Sequence, residues 1–189
     1  RALGIPCGIE ELPMRGNNNA PHFWNFLVDQ HGQTWYFSMF YWWHRLLKAE
    51  VYADVYGKVF RQRFSLNRDM MDSLRMPLES VHPVLRYPFF EDVTRLYATD
   101  KAFTLSVGKQ HLARDIRAGE VVYICMSDRY AWKPVGWTRY DGSNAVFKDC
   151  HGGTIYCLAV YDAANDKLAP VSSPFSVGQE NGKMEFYDV

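Results

Sequence analysis

The chain lacks any apolar run approaching the ~20 residues that cross a bilayer as a helix, so nothing in it reads as a membrane span. It also lacks an excess of either charge. Its 21 Lys and Arg balance 21 Asp and Glu, which removes the electrostatic case for nucleic acid or an anionic membrane as partner. The four cysteines, Cys7, Cys125, Cys150 and Cys157, show no C-x-x-C spacing, which argues against a zinc knuckle or a thioredoxin-type motif. No metal and no cofactor is expected. An initiator Met and a signal-peptide pattern are missing as well. Arg1-Ala2-Leu3-Gly4 instead reads as the last turn of a helix closed by a left-handed glycine, so a helix is expected before residue 1.

What the chain does have is apolar and aromatic content. At 189 residues and 48% apolar it can bury the core of one domain or two small ones. Twelve Tyr, twelve Phe and six Trp point to β-rich packing or to surfaces that face sugars.

The N-terminal stretch carries the clearest pattern. Ile5-Pro6 forces extended geometry, and Cys7 to Leu12 can continue as a strand. Arg15-Gly16-Asn17-Asn18-Asn19 is a loop of turn-tolerant residues. Pro21 to Asp29 and Gln33 to Phe37 are two aromatic runs joined by Gln30-His31-Gly32, which reads as a β-hairpin. Alternation places His22, Trp24 and Phe26 on one face and Phe23, Asn25 and Leu27 on the other.

Two motifs here, RALGIPC and HFWNFLVDQHGQTWYF, resemble the transglutaminase-like superfamily, the papain-like Cys-His-Asp group of transglutaminases, related cysteine peptidases and peptide N-glycanases. The first is similar to that family's R-x-x-G-I-P helix end and first strand. The second is similar to its H-x-W-x-E-V histidine strand and the hairpin that follows. The resemblance implies His22 as catalytic base, Trp24 packed beside it, and a nucleophilic Cys at the start of the helix before R-x-x-G-I-P, hence upstream of Arg1. These residues alone are therefore expected to be inactive. The family's third residue, an acid, falls here at Phe37, Ser38 or Met39, none of which is acidic. Asp29 as an offset acid, a neutral orienting group, and loss of activity are the three alternatives. Cys7 is the local candidate for a replacement nucleophile, although a cysteine in an apolar strand is ordinarily a small buried hydrophobe.

Further along, apolar spacing at Trp43, Leu46 and Leu47 predicts a short amphipathic helix closed by Gly57. Trp42 and Trp43 read as a core plug, with stacking on a sugar as the alternative. Lys58 to Phe64 alternates as a strand. Residues 65–98 read as a connector, irregular around Pro77, Pro83 and Pro88 with a helical piece at Asn67 to Leu74. From residue 99 on, short β runs separated by turn signals predict an all-β sandwich of immunoglobulin or fibronectin type. Trp132 and Trp137 alternate to opposite faces of a regular strand, one in the core and one exposed. Cys150 and Cys157 flank the turn His151-Gly152-Gly153, leaving a cross-hairpin disulfide open.

The segments GKVFRQRF and FEDVTRLY are similar to those that follow transglutaminase-like domains in secreted Bacteroidetes proteins, which implies a periplasmic or cell-surface address. The expected fold is α+β: the partial transglutaminase-like sheet over 1–64, the connector over 65–98 and the sandwich over 99–189. Two functions follow. One is a fragment of a thiol enzyme acting on amide bonds of a protein or peptide, by hydrolysis or acyl transfer. The other is a non-catalytic protein- or glycan-binding module on a degenerate fold. Sheet surface left uncovered without the upstream helix further suggests a homodimer.

Overall fold

Strand-period alternation is realised as antiparallel pairing in the computed structural model, which describes residues 4, 6–16, 20–37, 46–49, 57–68, 81–128 and 130–188. Strands β1 (Cys7–Leu12), β2 (His22–Val28), β3 (Thr34–Phe37), β4 (Leu47–Lys48), β5 (Phe60–Gln62) and β6 (Phe90–Asp92) form one sheet in the order β4-β3-β2-β1-β5-β6. Leu12 pairs with His22, Glu10 with Trp24 and Gly8 with Phe26, so these side chains share a face. The short helix Thr94–Ala98 covers that face: Val93 and Tyr97 pack with Leu12, Trp24 and Val59. The opposite face leaves Ile9 and Phe23 exposed at 47% and 53%.

One local expectation is corrected. Leu47 and Lys48 are strand rather than helix, because they hydrogen-bond along the free edge of β3 opposite Tyr36 and Trp35. Within the stretch read as connector, residues 90–92 form β6, which pairs with β5 through Phe60 and Asp92. The aromatic cluster around Trp42 and Trp43, most of the helix expected there, Ser38, Met39 and residues 69–80 lie outside the described residues.

The remaining strands are β7 (Ala102–Gly108), β8 (Val121–Ser127), β9 (Trp132–Arg139), β10 (Asn144–His151), β11 (Ile155–Asp162), β12 (Lys167–Pro170), β13 (Phe175–Val177) and β14 (Met184–Phe186). β7 and β10 form a small sheet, and the others form a large one in the order β14-β13-β11-β8-β9 with β12 also on β11. The sheets meet across one apolar core, with Leu105, Val107 and Phe147 against Ile124, Leu158 and Phe175. Each such side chain contributes roughly 1.5–3 kcal/mol when fully buried. A second cluster joins the two parts of the chain: Phe60, Val81 and Leu85 pack on Tyr123, Cys125 and Ala159. The described residues are thus mostly antiparallel β with few and short helices, and no helix among them is long and apolar enough to cross a membrane.

The turn at Gly152-Gly153 does not close a hairpin. β10 pairs with β7 while β11 pairs with β8, so the chain crosses here from one sheet to the other. Cys150 points into the core between the sheets. Cys157 alternates with the core residues Tyr156 and Leu158, points to the other face, and stands opposite Cys125. No disulfide forms among the described residues.

The strand β9 holds another departure. Gly136 pairs with Ile124 and Pro134 with Cys125, so Val135 is an extra residue and β9 carries a β-bulge. That shift cancels the odd spacing of the two tryptophans. Trp132 stands opposite Ser127 and Trp137 opposite Tyr123, and both pack on the same cluster. The expectation that they lie on opposite faces holds only for a regular strand.

His151 sits at the crossing, 5% exposed, with its Nδ1 against the carbonyl of Gly152. Burial lowers its pKa from the ordinary value of 6.5, and burial lowers that of His82 likewise. The folded protein therefore protonates these rings at lower pH than the unfolded chain, which takes up protons below about pH 6.5. Stability is predicted to fall between about pH 7 and about pH 5.5, and His151→Gln to flatten that slope in urea denaturation. An unchanged slope in the variant would contradict this.

Candidate functional site

The densest polar cluster on the covered face is built by three neighbouring strands. Glu10 on β1 is flanked by Trp24 on β2 and Arg61 on β5, each directly opposite it in the ladder. Its side chain is fully buried. A buried carboxylate requires a partner and a full set of hydrogen bonds. Arg61 supplies the first: its Nε lies 2.8 Å and its Nη2 2.7 Å from Glu10 Oε1. On Oε2, the Trp24 indole N–H donates at 2.9 Å and the Tyr97 hydroxyl donates through a short contact.

Each member is held from a second side. Arg61 Nη2 also donates to Thr34 Oγ1 at 2.9 Å, and its guanidinium carbon sits 4.1 Å from the centre of the Phe26 ring. Gly8 leaves room for that ring, since a Cβ there would come within 2.9 Å of Phe26 Cε1. Trp24 Nε1 lies 2.9 Å from the Tyr97 oxygen as well, and the two rings meet edge-on with centroids 5.3 Å apart. Burial, with the Glu10 carboxylate beside it, pushes the Tyr97 hydroxyl well above the ordinary phenol range. Tyr97 is therefore a fixed donor and not a proton carrier.

His22 adjoins this cluster through Trp24. It is half-buried on the face it shares with Trp24, with ring centroids 5.6 Å apart and planes tilted by 41°. Trp24 is thus fixed by Glu10 and Tyr97 on one edge and presents its ring system to His22.

The other residues singled out in the sequence do not converge on His22. Asp29 follows the far end of β2, about 20 Å along the strand. Its carboxylate organises the hairpin turn, accepting from Trp35 Nε1 at 2.8 Å, from the His31 amide at 2.8 Å and from the Gln33 amide at 3.0 Å. The Trp35 hydrogen bond and these amides hold its pKa below the usual carboxylate range. Phe37 pairs with Asn25 and so shares the face opposite His22. Cys7 pairs with Leu27, five positions along β2 from His22, and alternates onto that same opposite face. Cys125, Cys150 and Cys157 are buried in the second half of the chain.

Glu10, Arg61 and Tyr97 are the members that pattern reading passed over. A signal for Glu10 was present: in the series Gly8, Glu10, Leu12 it is a charged residue in the phase of β1 that faces the core. Among the described residues no group of three or more His, Cys, Asp or Glu is gathered as a metal site requires. No family model, curated protein or solved structure matches the chain.

The Glu10–Arg61 pair is predicted to behave as one unit. Glu10→Gln or Arg61→Met alone strands a buried partner and should cost about 3–5 kcal/mol. The double variant should cost clearly less than the sum of the two. A double-mutant cycle in urea measures this, and simple additivity would show that the pair is not coupled.

Proposed function

We propose that this chain supplies the histidine half of a transglutaminase-type thiol site acting on amide bonds of proteins or peptides. In that reading the first sheet is the later part of a transglutaminase-like domain, and the second half is its immunoglobulin- or fibronectin-like sandwich. An extracytoplasmic location goes with the same resemblance. The observation that supports it best is the pairing of His22 with a Trp24 whose indole is clamped by Glu10 and Tyr97. A general base must be held in one orientation to accept a proton efficiently, and a neighbour pinned on its far edge provides that.

The chemistry follows from the imidazole. A thiol with pKa near ~8.5 is mostly protonated at neutral pH, and His22 takes its proton. The thiolate adds to the amide carbon. As the C–N bond breaks, the imidazolium returns the proton to the leaving amine, and a thioester remains. Water or an incoming amine, deprotonated by His22, then attacks the thioester and releases the thiol. None of the cysteines faces His22, so this reading draws the thiol from outside the described residues.

One observation favours the second reading, a non-catalytic protein- or glycan-binding module. Asp29, the acid nearest in sequence, is consumed by the hairpin turn and does not reach His22. The two readings separate in the full-length protein that contains this chain, assayed for casein hydrolysis and for amine incorporation into casein. The enzymatic reading predicts iodoacetamide-sensitive turnover that falls about 10²–10⁴-fold in His22→Ala with the circular dichroism spectrum unchanged. Turnover that persists in His22→Ala rejects the base assignment, and absence of any thiol-dependent turnover selects the binding module.

A further inference from the structure

The face of the first sheet turned away from His22 carries a carboxylate that the protein leaves unpaired. Glu11 follows Glu10 along β1, so the two point to opposite sides of the sheet. Phe23 on β2 and Phe60 on β5 stand directly opposite Glu11, one on each side. Ile9 and Gln62, two positions along from Glu11 and Phe60, share that face, and Gln62 is paired with Phe90. These six residues line one pocket of about 160 Å³.

Among the described residues, neither a hydrogen bond nor an ion pair holds the Glu11 side chain. The cations nearby in sequence phase are committed elsewhere. Lys58, in phase with Phe60, pairs with Asp92 and donates to the Lys148 carbonyl at 2.7 Å, and Arg61 serves Glu10 on the other face. Glu11 is half-buried all the same, and burial raises its pKa above the ordinary carboxylate value. A carboxylate in that position costs free energy until a charged donor meets it.

The walls around it are ordered. Gln62 Nε2 donates to the Tyr87 hydroxyl at 3.0 Å, which leaves Gln62 Oε1 as an acceptor with no donor among the described residues. The Phe90 ring is packed between Tyr87 and Phe60, with centroids 4.7 Å and 5.8 Å away. Ile9 and Phe23 remain exposed at 47% and 53% beside the pocket.

This lining discriminates among ligands. Glu11 repels an anion, and a neutral apolar ligand would strip water from the carboxylate without pairing it. A divalent metal needs several oxygen ligands and would find one carboxylate. An organic cation matches both the single negative charge and the aromatic rings. Its kind follows from the acceptors. The two Glu11 oxygens and Gln62 Oε1 correspond in number to the three N–H groups of a primary ammonium, whereas a guanidinium brings five and a quaternary ammonium none. The volume exceeds the ~30 Å³ share of one water and falls below the ~300–1,000 Å³ of whole small-molecule sites, so it suits a head group.

We propose that this pocket binds a primary alkylammonium group, the head of a lysine side chain or of a free alkyl amine, with Glu11 as its counterion, Gln62 Oε1 as a further acceptor, the rings of Phe23, Phe60 and Phe90 around it, and Ile9 against the alkyl stem. The site lies on the opposite face of the sheet from His22 and does not depend on the amide-bond reading.

The test is an NMR titration of the intact chain at constant ionic strength with n-butylamine and with Nα-acetyl-lysine methylamide, following the Ile9 methyl signals, which are assigned by their change in Ile9→Val. Comparators are n-butanol, which has the stem without the charge, and tetramethylammonium, which has the charge without N–H donors. At least one amine is expected to move the Ile9 signals saturably with a millimolar Kd. A response to the lysine derivative alone identifies a peptide side chain as the source, and a response to butylamine alone a free amine. Glu11→Gln, which keeps the side-chain size, should weaken binding at least about tenfold, and Phe23→Leu about threefold. No saturable movement with either amine up to about 50 mM overturns the proposal, as does binding that is unchanged in Glu11→Gln or matched by either comparator.

Discussion

A carboxylate with no exposed surface fixes the arrangement of the first sheet. Glu10 is placed in the core phase of β1, and an isolated charge there would be intolerable. Its three hydrogen-bond donors, and the ion-pair contact of Arg61 Nη2, come from β2, β5 and the helix Thr94–Ala98, elements far apart in sequence. Satisfying one residue therefore sets the register of β1 against two strands and docks the helix over them. Replacing the pair with apolar side chains of similar volume could leave stability little changed. What the pair supplies is orientation: the Trp24 indole N–H is held between the Glu10 carboxylate and the Tyr97 oxygen, with its ring beside His22.

Strand β5 and the two residues before it separate two polar clusters among the described residues. Val59 and Arg61 point toward the helix and Glu10, whereas Lys58 and Phe60 point toward the second half of the chain. The period of two in a strand puts the buried Lys58 and the half-buried Arg61 on opposite sides of the same short segment. Each is neutralised by an acid that is itself hydrogen-bonded, Glu10 by Trp24 and Tyr97, Asp92 by Thr94. This gives Lys58 and Arg61 of the segment GKVFRQRF a physical reason.

Much of the strand layout was legible because alternation is a local property. The hairpin around Gly32, the shared face of His22 and Trp24, and the short runs after residue 99 all follow from period and turn chemistry. What escaped depends on partners distant in sequence. Leu47 has helical spacing, yet the open edge of β3 claims it. Trp137 changes face because one extra residue, Val135, is accommodated in a bulge that only the pairing with β8 reveals. Gly152-Gly153 looks like a hairpin turn from its composition and is a crossing between sheets because β10 and β11 find different neighbours. Glu10 was visible as a charge in the core phase of β1, but Arg61 and Tyr97, 51 and 87 positions away, were not.

The central claim is that Trp24, whose ring lies beside His22, is clamped by the buried Glu10 cluster. Hydrogen exchange at the indole N–H groups reads this directly, since an indole proton held in a buried hydrogen bond leaves only when the structure opens. The Trp24 indole proton should exchange orders of magnitude more slowly than that of Trp137, which has no hydrogen-bond partner among the described residues. Equal rates at the two indoles would mean that the clamp does not exist in solution.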